Sequence, residues 1–159
     1  MNYTYLHVLV ILSIIVLYFV KIHYYYFGLG FVLNNMLNIV LKMIIKEPKD
    51  LPNVKAIKIA ITNGFNINLE KFGMPSENMQ NCGYCLLYIM MVLKNPLVSL
   101  LYLLITLYIL NNDLMNNYTL FQELVGFVIG CSVGYLMYYL GNDYIIGNKK
   151  HKPDDNAVN

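Results

Sequence analysis

Residues 119–140 read TLFQELVGFVIGCSVGYLMYYL and carry a single charge, Glu123. At about 1.5 Å per residue such a run is long enough, as a helix, to cross a hydrocarbon core about 30 Å thick. Gly126, Gly130 and Gly134 recur every fourth residue. They fall on one helical face and let a second helix approach closely, so the stripe reads as packing rather than as a ligand site. The composition extends this reading to the whole chain. Of 159 residues, 58% are hydrophobic and 13% charged, and the mean hydropathy is +0.51. That is too apolar for an ordinary soluble domain and predicts one domain held mostly in lipid.

Working back from residue 119, four more apolar segments emerge. Leu97–Leu110 is short and reaches the minimum only with Asn95 and Asn111 at the headgroups. The segment 78–94 precedes it and is broken by Asn95-Pro96, since proline cannot continue the preceding helix. A span over 24–45 is interrupted by Asn34, Asn35 and Asn38 at helical spacing, which predicts that these amides face other helices. The run 3–20, YTYLHVLVILSIIVLYFV, lacks a charged start and is followed by KIHYYY rather than small residues, so it reads as a span and not a signal peptide. Between the second and third spans, Pro48, Pro52, Gly64, Gly73 and Pro75 punctuate a polar loop over 46–77 with room for one short helix. The tail, 141–159, is polar and is expected to be disordered. The predicted fold is therefore all-α, a polytopic membrane bundle of about five transmembrane helices with one long loop between helices two and three.

All 11 cationic residues are lysine and the formal net charge is +2. No basic stripe forms, which argues against nucleic acid as a partner. Alternating the five spans puts the end of span two, the start of span three, the end of span four and the start of span five on one side of the membrane. Polar residues gather at those four points: Lys42, Lys46 and Lys49; Pro75, Ser76, Glu77 and Asn78; Asn111, Asn112 and Asp113; Tyr118, Gln122 and Glu123.

Their spacing carries a resemblance. Lys42 precedes Lys49-Asp50 by six residues in LKMIIKEPKD, the loop supplies GMPSENMQ, and Asn111-Asn112 lead over five residues to Tyr118, with Gln122 four further on. The layout resembles the type 2 phosphatidic-acid phosphatase superfamily, in particular its dolichyl-diphosphatase-like members, over roughly residues 34–140. That family has Lys, six residues, Arg-Pro; then Pro-Ser-Gly-His; then Ser-Arg, five residues, His, three residues, Asp. Here Lys42, Pro75 and Ser76 are kept. Lys49 and Asp50 stand for Arg-Pro, Glu77 and Asn78 for Gly-His, Asn111 and Asn112 for Ser-Arg, Tyr118 for the histidine and Gln122 for the aspartate.

The resemblance implies metal-independent hydrolysis of lipid phosphates or diphosphates, with no cofactor. In the family, the residue at the Tyr118 position takes the phosphoryl group and that at the Asn78 position protonates the leaving oxygen. Asparagine does not ionise, and tyrosine, with a pKa near 10, is a poor nucleophile without a base. The expected protein is thus catalytically inactive, acting as a lipid-headgroup binder or a membrane scaffold. Lys42, Lys49 and Ser76 are the candidates for holding phosphate, with Glu77 a repelling charge in the pocket that is available to pair with a lysine. Membrane lipids, among them a phosphorylated headgroup, are the expected partners. Two alternatives stay open: an active phosphatase with altered site residues, and a purely structural protein, for example of a viral membrane. The composition suits an endoplasmic-reticulum-like, plasma or viral membrane equally.

Other candidates carry less. His7 and His23 lie in the first hairpin and His151 in the tail, none within a motif. Cys82 and Cys85 form CGYC without the strand context or second ligand pair that redox or metal chemistry requires, so with Cys131 they read as packing residues and no metal site is expected. Asn2-Tyr3-Thr4 and Asn117-Tyr118-Thr119 match the glycosylation acceptor pattern, a weak signal in an asparagine-rich chain. Six lysines from Lys42 to Lys71 lie on the pocket side against five opposite, a near balance under the positive-inside rule. The resemblance implies a lumenal or external pocket with the tail in the cytosol.

Overall fold

A computed structural model describes residues 4–18, 20–65, 67–115 and 118–150. Six α-helices follow in order: α1 Thr4–Leu17, α2 Lys21–Ile45, α3 Val54–Thr62, α4 Glu77–Leu93, α5 Pro96–Met115 and α6 Leu120–Lys150. A single 3₁₀ turn, Leu69–Lys71, lies between α3 and α4. The chain is an all-α membrane bundle.

Three helical segments are long and apolar enough to cross a membrane: His23–Ile45, Pro96–Met115 and Leu120–Tyr144. This is fewer than the five expected, and the reasons differ. The first run stops at Leu17, where the chain turns and Val20 N–H donates to the Leu17 carbonyl at 2.8 Å. The remaining 14 residues make a helix about 21 Å long. With 17 residues, α4 is also short, and it is unlike a lipid-facing helix: every residue from Asn78 to Leu86 is buried.

In compensation, α5 is longer than the sequence suggests. It runs on through Asn111, Asn112 and Asp113 because Asp113 turns inward and meets a partner from α4. At its start, Pro96 occupies the first helical position and the Asn95 side-chain oxygen accepts from Leu97 N–H at 3.0 Å, a cap that fits the sequence Asn-Pro. The last helix, α6, continues past Gly141 to Lys150, into the stretch expected as disordered tail; residues 151–159 lie outside the described residues.

Central α4 touches α1, α2, α5 and α6, and α3 rides on the connecting loop. Small residues let α4 meet α6. A Cβ at Gly126 would come 2.5 Å from the Ser76 carbonyl oxygen, one at Gly134 would come 2.9 Å from that of Tyr84, and one at Gly130 would strike the Gln80 carbonyl. On the α2 side the contact is polar. Asn34 Nδ2 donates to Asn81 Oδ1 at 2.8 Å, Asn38 Nδ2 to Gln80 Oε1 at 2.8 Å, Asn81 Nδ2 to Asn35 Oδ1 at 3.1 Å, and Gln80 Nε2 to the Asn34 carbonyl at 2.8 Å. The three asparagines of α2 therefore do face another helix, and each amide meets an amide. Deeper in the bundle, Tyr84 and Tyr88 are buried and donate to the Phe27 and His23 carbonyls at 2.7 and 2.9 Å. Outside, Val32, Leu33, Met36, Val40, Leu100, Leu104, Leu107, Leu124, Val128 and Leu136 are exposed. So many exposed apolar side chains on the candidate spans suit contact with lipid.

Candidate functional site

The site forms where the ends of α2 and α5 meet the starts of α4 and α6. Lys42 leaves the last turn of α2, with a side chain 8% exposed. Lys46 then adopts a left-handed conformation, φ 53°, which ends the helix and sends the chain back across the bundle end. There Pro48 and Phe72 form an antiparallel bridge, Lys49 N–H donates to the Lys71 carbonyl at 2.9 Å and Gly73 N–H to that of Glu47 at 2.8 Å. Gln122 of α6 locks this pair in place, its Nε2 donating to the Pro48 carbonyl at 3.0 Å. A Cβ at Gly73 would collide with the Gln122 amide, so a larger residue there would displace that side chain from the Pro48 carbonyl.

Gln122 also completes a capping box. Its Oε1 accepts from Thr119 N–H at 3.2 Å while Thr119 Oγ1 accepts from Gln122 N–H at 3.3 Å, which fixes the start of α6. The start of α4 is capped by Ser76, whose Oγ accepts from Met79 N–H at 3.4 Å. Ser76 N–H donates in turn to the Gln122 carbonyl at 3.2 Å. The Ser76 hydroxyl, expected among the phosphate holders, is thus engaged as a helix cap. Glu77, one residue on, pairs with Lys42 at 3.3 Å and has a side chain 46% exposed.

Asn78 points its Nδ2 at both carboxylate oxygens of Asp113, at 3.0 and 2.9 Å. Buried Tyr118 lies beneath Lys49, whose ammonium stands 4.5 Å from the ring centroid, a cation–π contact. Lys49 faces the like charge of Lys42 as well as Asp113 and Glu77; burial first, and Lys42 second, push its pKa below the ordinary lysine value. Asn112 is half-buried beside Asp113 and also engaged. All eight candidates, Lys42, Lys49, Ser76, Glu77, Asn78, Asn112, Tyr118 and Gln122, therefore sit at one end of the bundle.

Two acids in this cluster escape a motif-based reading. Asp113 is 2% and Glu123 0% exposed. Glu123 lies within an apolar span, which by itself marks an ionisable residue for attention. Asp113 was obscured because span four was expected to end at Leu110. The remaining candidates lie apart. His7 is exposed on α1, although neighbouring Leu6 packs near Met79 and Ile109. Buried His23 stacks on Tyr138 at 5.7 Å and contacts the Tyr88 hydroxyl at 3.3 Å. His151 and both acceptor asparagines, Asn2 and Asn117, lie outside the described residues. All three cysteines are free thiols, with Cys82 and Cys85 buried. Compared with protein-family models, curated proteins and solved structures, the chain has no match.

Proposed function

We propose that this chain is a membrane helix bundle that binds a phosphorylated lipid headgroup without hydrolysing it, on the plan of the type 2 phosphatidic-acid phosphatases its motif blocks resemble. In this reading all five helices of the bundle pass through the bilayer, with α1 and α4 as its short members. The observation that carries it is the pairing of two lysines from different elements. Lys42, paired with Glu77, and Lys49, over the Tyr118 ring, are like charges near enough to be felt by one another, an arrangement that an anion between them stabilises. Lys42 is buried and stays, while its partner Glu77 is half exposed and is free to rotate into water. A phosphate replaces Glu77 on Lys42 and draws in Lys49, whose ammonium already stands at the bundle end over Tyr118.

Hydrolysis fails for want of proton chemistry. The Asn78 amide is held on Asp113, and Tyr118 offers a phenol where the reaction needs a group that titrates near neutral pH. The depressed pKa of Lys49 gives the binding a pH signature. A lysine with a lowered pKa loses its charge at a lower pH than an ordinary one, so affinity falls on the alkaline side before the usual lysine range is reached. The check is the affinity of purified protein in detergent for a short-chain phosphatidate across alkaline pH. Wild type is expected to lose binding there and Lys49→Arg to hold it, since arginine stays charged. Equal curves for the two proteins count against the reading.

A further inference from the structure

Among the described residues, three buried side-chain polar atoms have no hydrogen-bond partner: Asn78 Oδ1, Glu123 Oε1 and Glu123 Oε2. All three are oxygens. They belong to side chains at the starts of α4 and α6, and both residues interact with Asp113 of α5, which spends both oxygens on the single amide nitrogen of Asn78. The Ser76 hydroxyl lies next to the Glu123 carboxylate without the geometry of a hydrogen bond to it. Buried acceptors left without donors carry a large penalty. The charges point the same way. Lys42 is matched by Glu77. Lys49 then stands alone against Asp113 and Glu123, so with both carboxylates ionised the buried cluster is one positive charge short. Cys82, one turn deeper, faces the same two carboxylates and supplies no cation. Glu70, which also reaches Lys49, is exposed.

We infer that a single alkali cation of about sodium size binds at this junction, held by the carboxylates of Asp113 and Glu123 with the oxygens of Asn78 and Ser76. Carboxylate, amide and hydroxyl oxygens are hard ligands suited to such an ion. Among the described residues no three His, Cys, Asp or Glu side chains converge as a metal cluster, and the deficit is one charge, which favours a monovalent ion over a divalent one. A proton on Glu123 is the competing occupant, since it would also meet the charge deficit, and sodium binding separates the two. An ion ties the ends of α4, α5 and α6 together below the headgroup pocket, and it binds there whether or not that pocket takes lipid.

The test is thermal unfolding of the purified full chain in detergent, followed by fluorescence of its 15 tyrosines, there being no tryptophan. Sodium chloride is compared with N-methylglucamine chloride at equal ionic strength. Saturating sodium is expected to raise the melting temperature by roughly 3–10 °C, with Asp143→Asn, an exposed acid outside the cluster, keeping the effect and Glu123→Gln losing it. Radioactive sodium should bind the wild type at about one ion per chain, a readout that holds even if Glu123→Gln does not fold. Equal melting in the two salts together with no sodium bound, or stabilisation that follows pH alone, overturns the inference and assigns the charge to a proton on Glu123.

Discussion

Gly130→Leu is expected to leave no folded protein, whereas Gly28→Ala is expected to be silent or slightly stabilising. Both glycines lie inside long helices, but only Gly130 belongs to the four-residue stripe. The distinction lies in what a side chain would meet. At Gly28 nothing lies within 4 Å, but at Gly130 a first carbon already strikes the Gln80 carbonyl and approaches the Tyr84 backbone nitrogen to 2.9 Å. Backbone has no rotamer to change, so α4 itself would have to move. Moving it would break the amide contacts of Gln80 and Asn81 with α2. Ordinary overpacking costs about 1–3 kcal/mol; separating two backbones that also share buried amides exceeds about 4 kcal/mol, a loss few domains survive. Gly28→Ala exchanges a flexible residue for a better helix former, worth up to about 1 kcal/mol in its favour. Size-exclusion chromatography in detergent reads the first outcome and melting temperature the second. A monodisperse Gly130→Leu protein with wild-type stability would show that α4 and α6 are not in this register.

Purified wild type is expected to release no phosphate from phosphatidate or a polyprenyl diphosphate above background. Loss of a general acid costs about 10²- to 10⁴-fold, and loss of a nucleophile acting in concert with others on the order of 10⁶. Both of the corresponding positions here hold groups in structural contacts. Asn78 is bonded to Asp113, Tyr118 sits under Lys49, and Gln122, where the resembled family has its aspartate, is committed to the Pro48 carbonyl and the α6 cap. Installing Asn78→His, Asn112→Arg and Tyr118→His together is therefore expected to restore little, because the new imidazole at 118 has no carboxylate at 122 to orient it. Phosphate release by wild type that Tyr118→Phe abolishes would assign catalysis to the phenol and contradict this.

Much of this arrangement was legible in the chain. Apolar runs mark the helices, Asn34, Asn35 and Asn38 announce a polar helix contact, and the glycine stripe announces the helix it meets. The spacing of Lys42, Lys49, Ser76 and Tyr118 placed the site at four helix ends. Less legible was how that site is filled. A serine at a helix start serves equally as a ligand or a cap, and only the position of Met79 N–H decides it for Ser76. Glu77 could have paired with either lysine. Asp113 looked like an interfacial residue because nothing local shows that α5 runs past Leu110, a length set by Asn78 across the bundle. Only three of the described helices are long and apolar enough to span for a related reason. Hydropathy scores a helix as if lipid surrounded it, while α4 is enclosed by other helices that satisfy its polar residues.

In the function proposed, the bundle end holds a phosphorylated headgroup through Lys42 and Lys49. Native mass spectrometry of the protein released from detergent containing equal phosphatidate and phosphatidylcholine tests it most directly. The expected spectrum shows wild type retaining about one phosphatidate in preference to phosphatidylcholine, a preference that Glu77→Gln strengthens and Lys42→Ala with Lys49→Ala removes. Equal retention of the two lipids by wild type, or a preference for phosphatidate that persists in the double lysine variant, would contradict it.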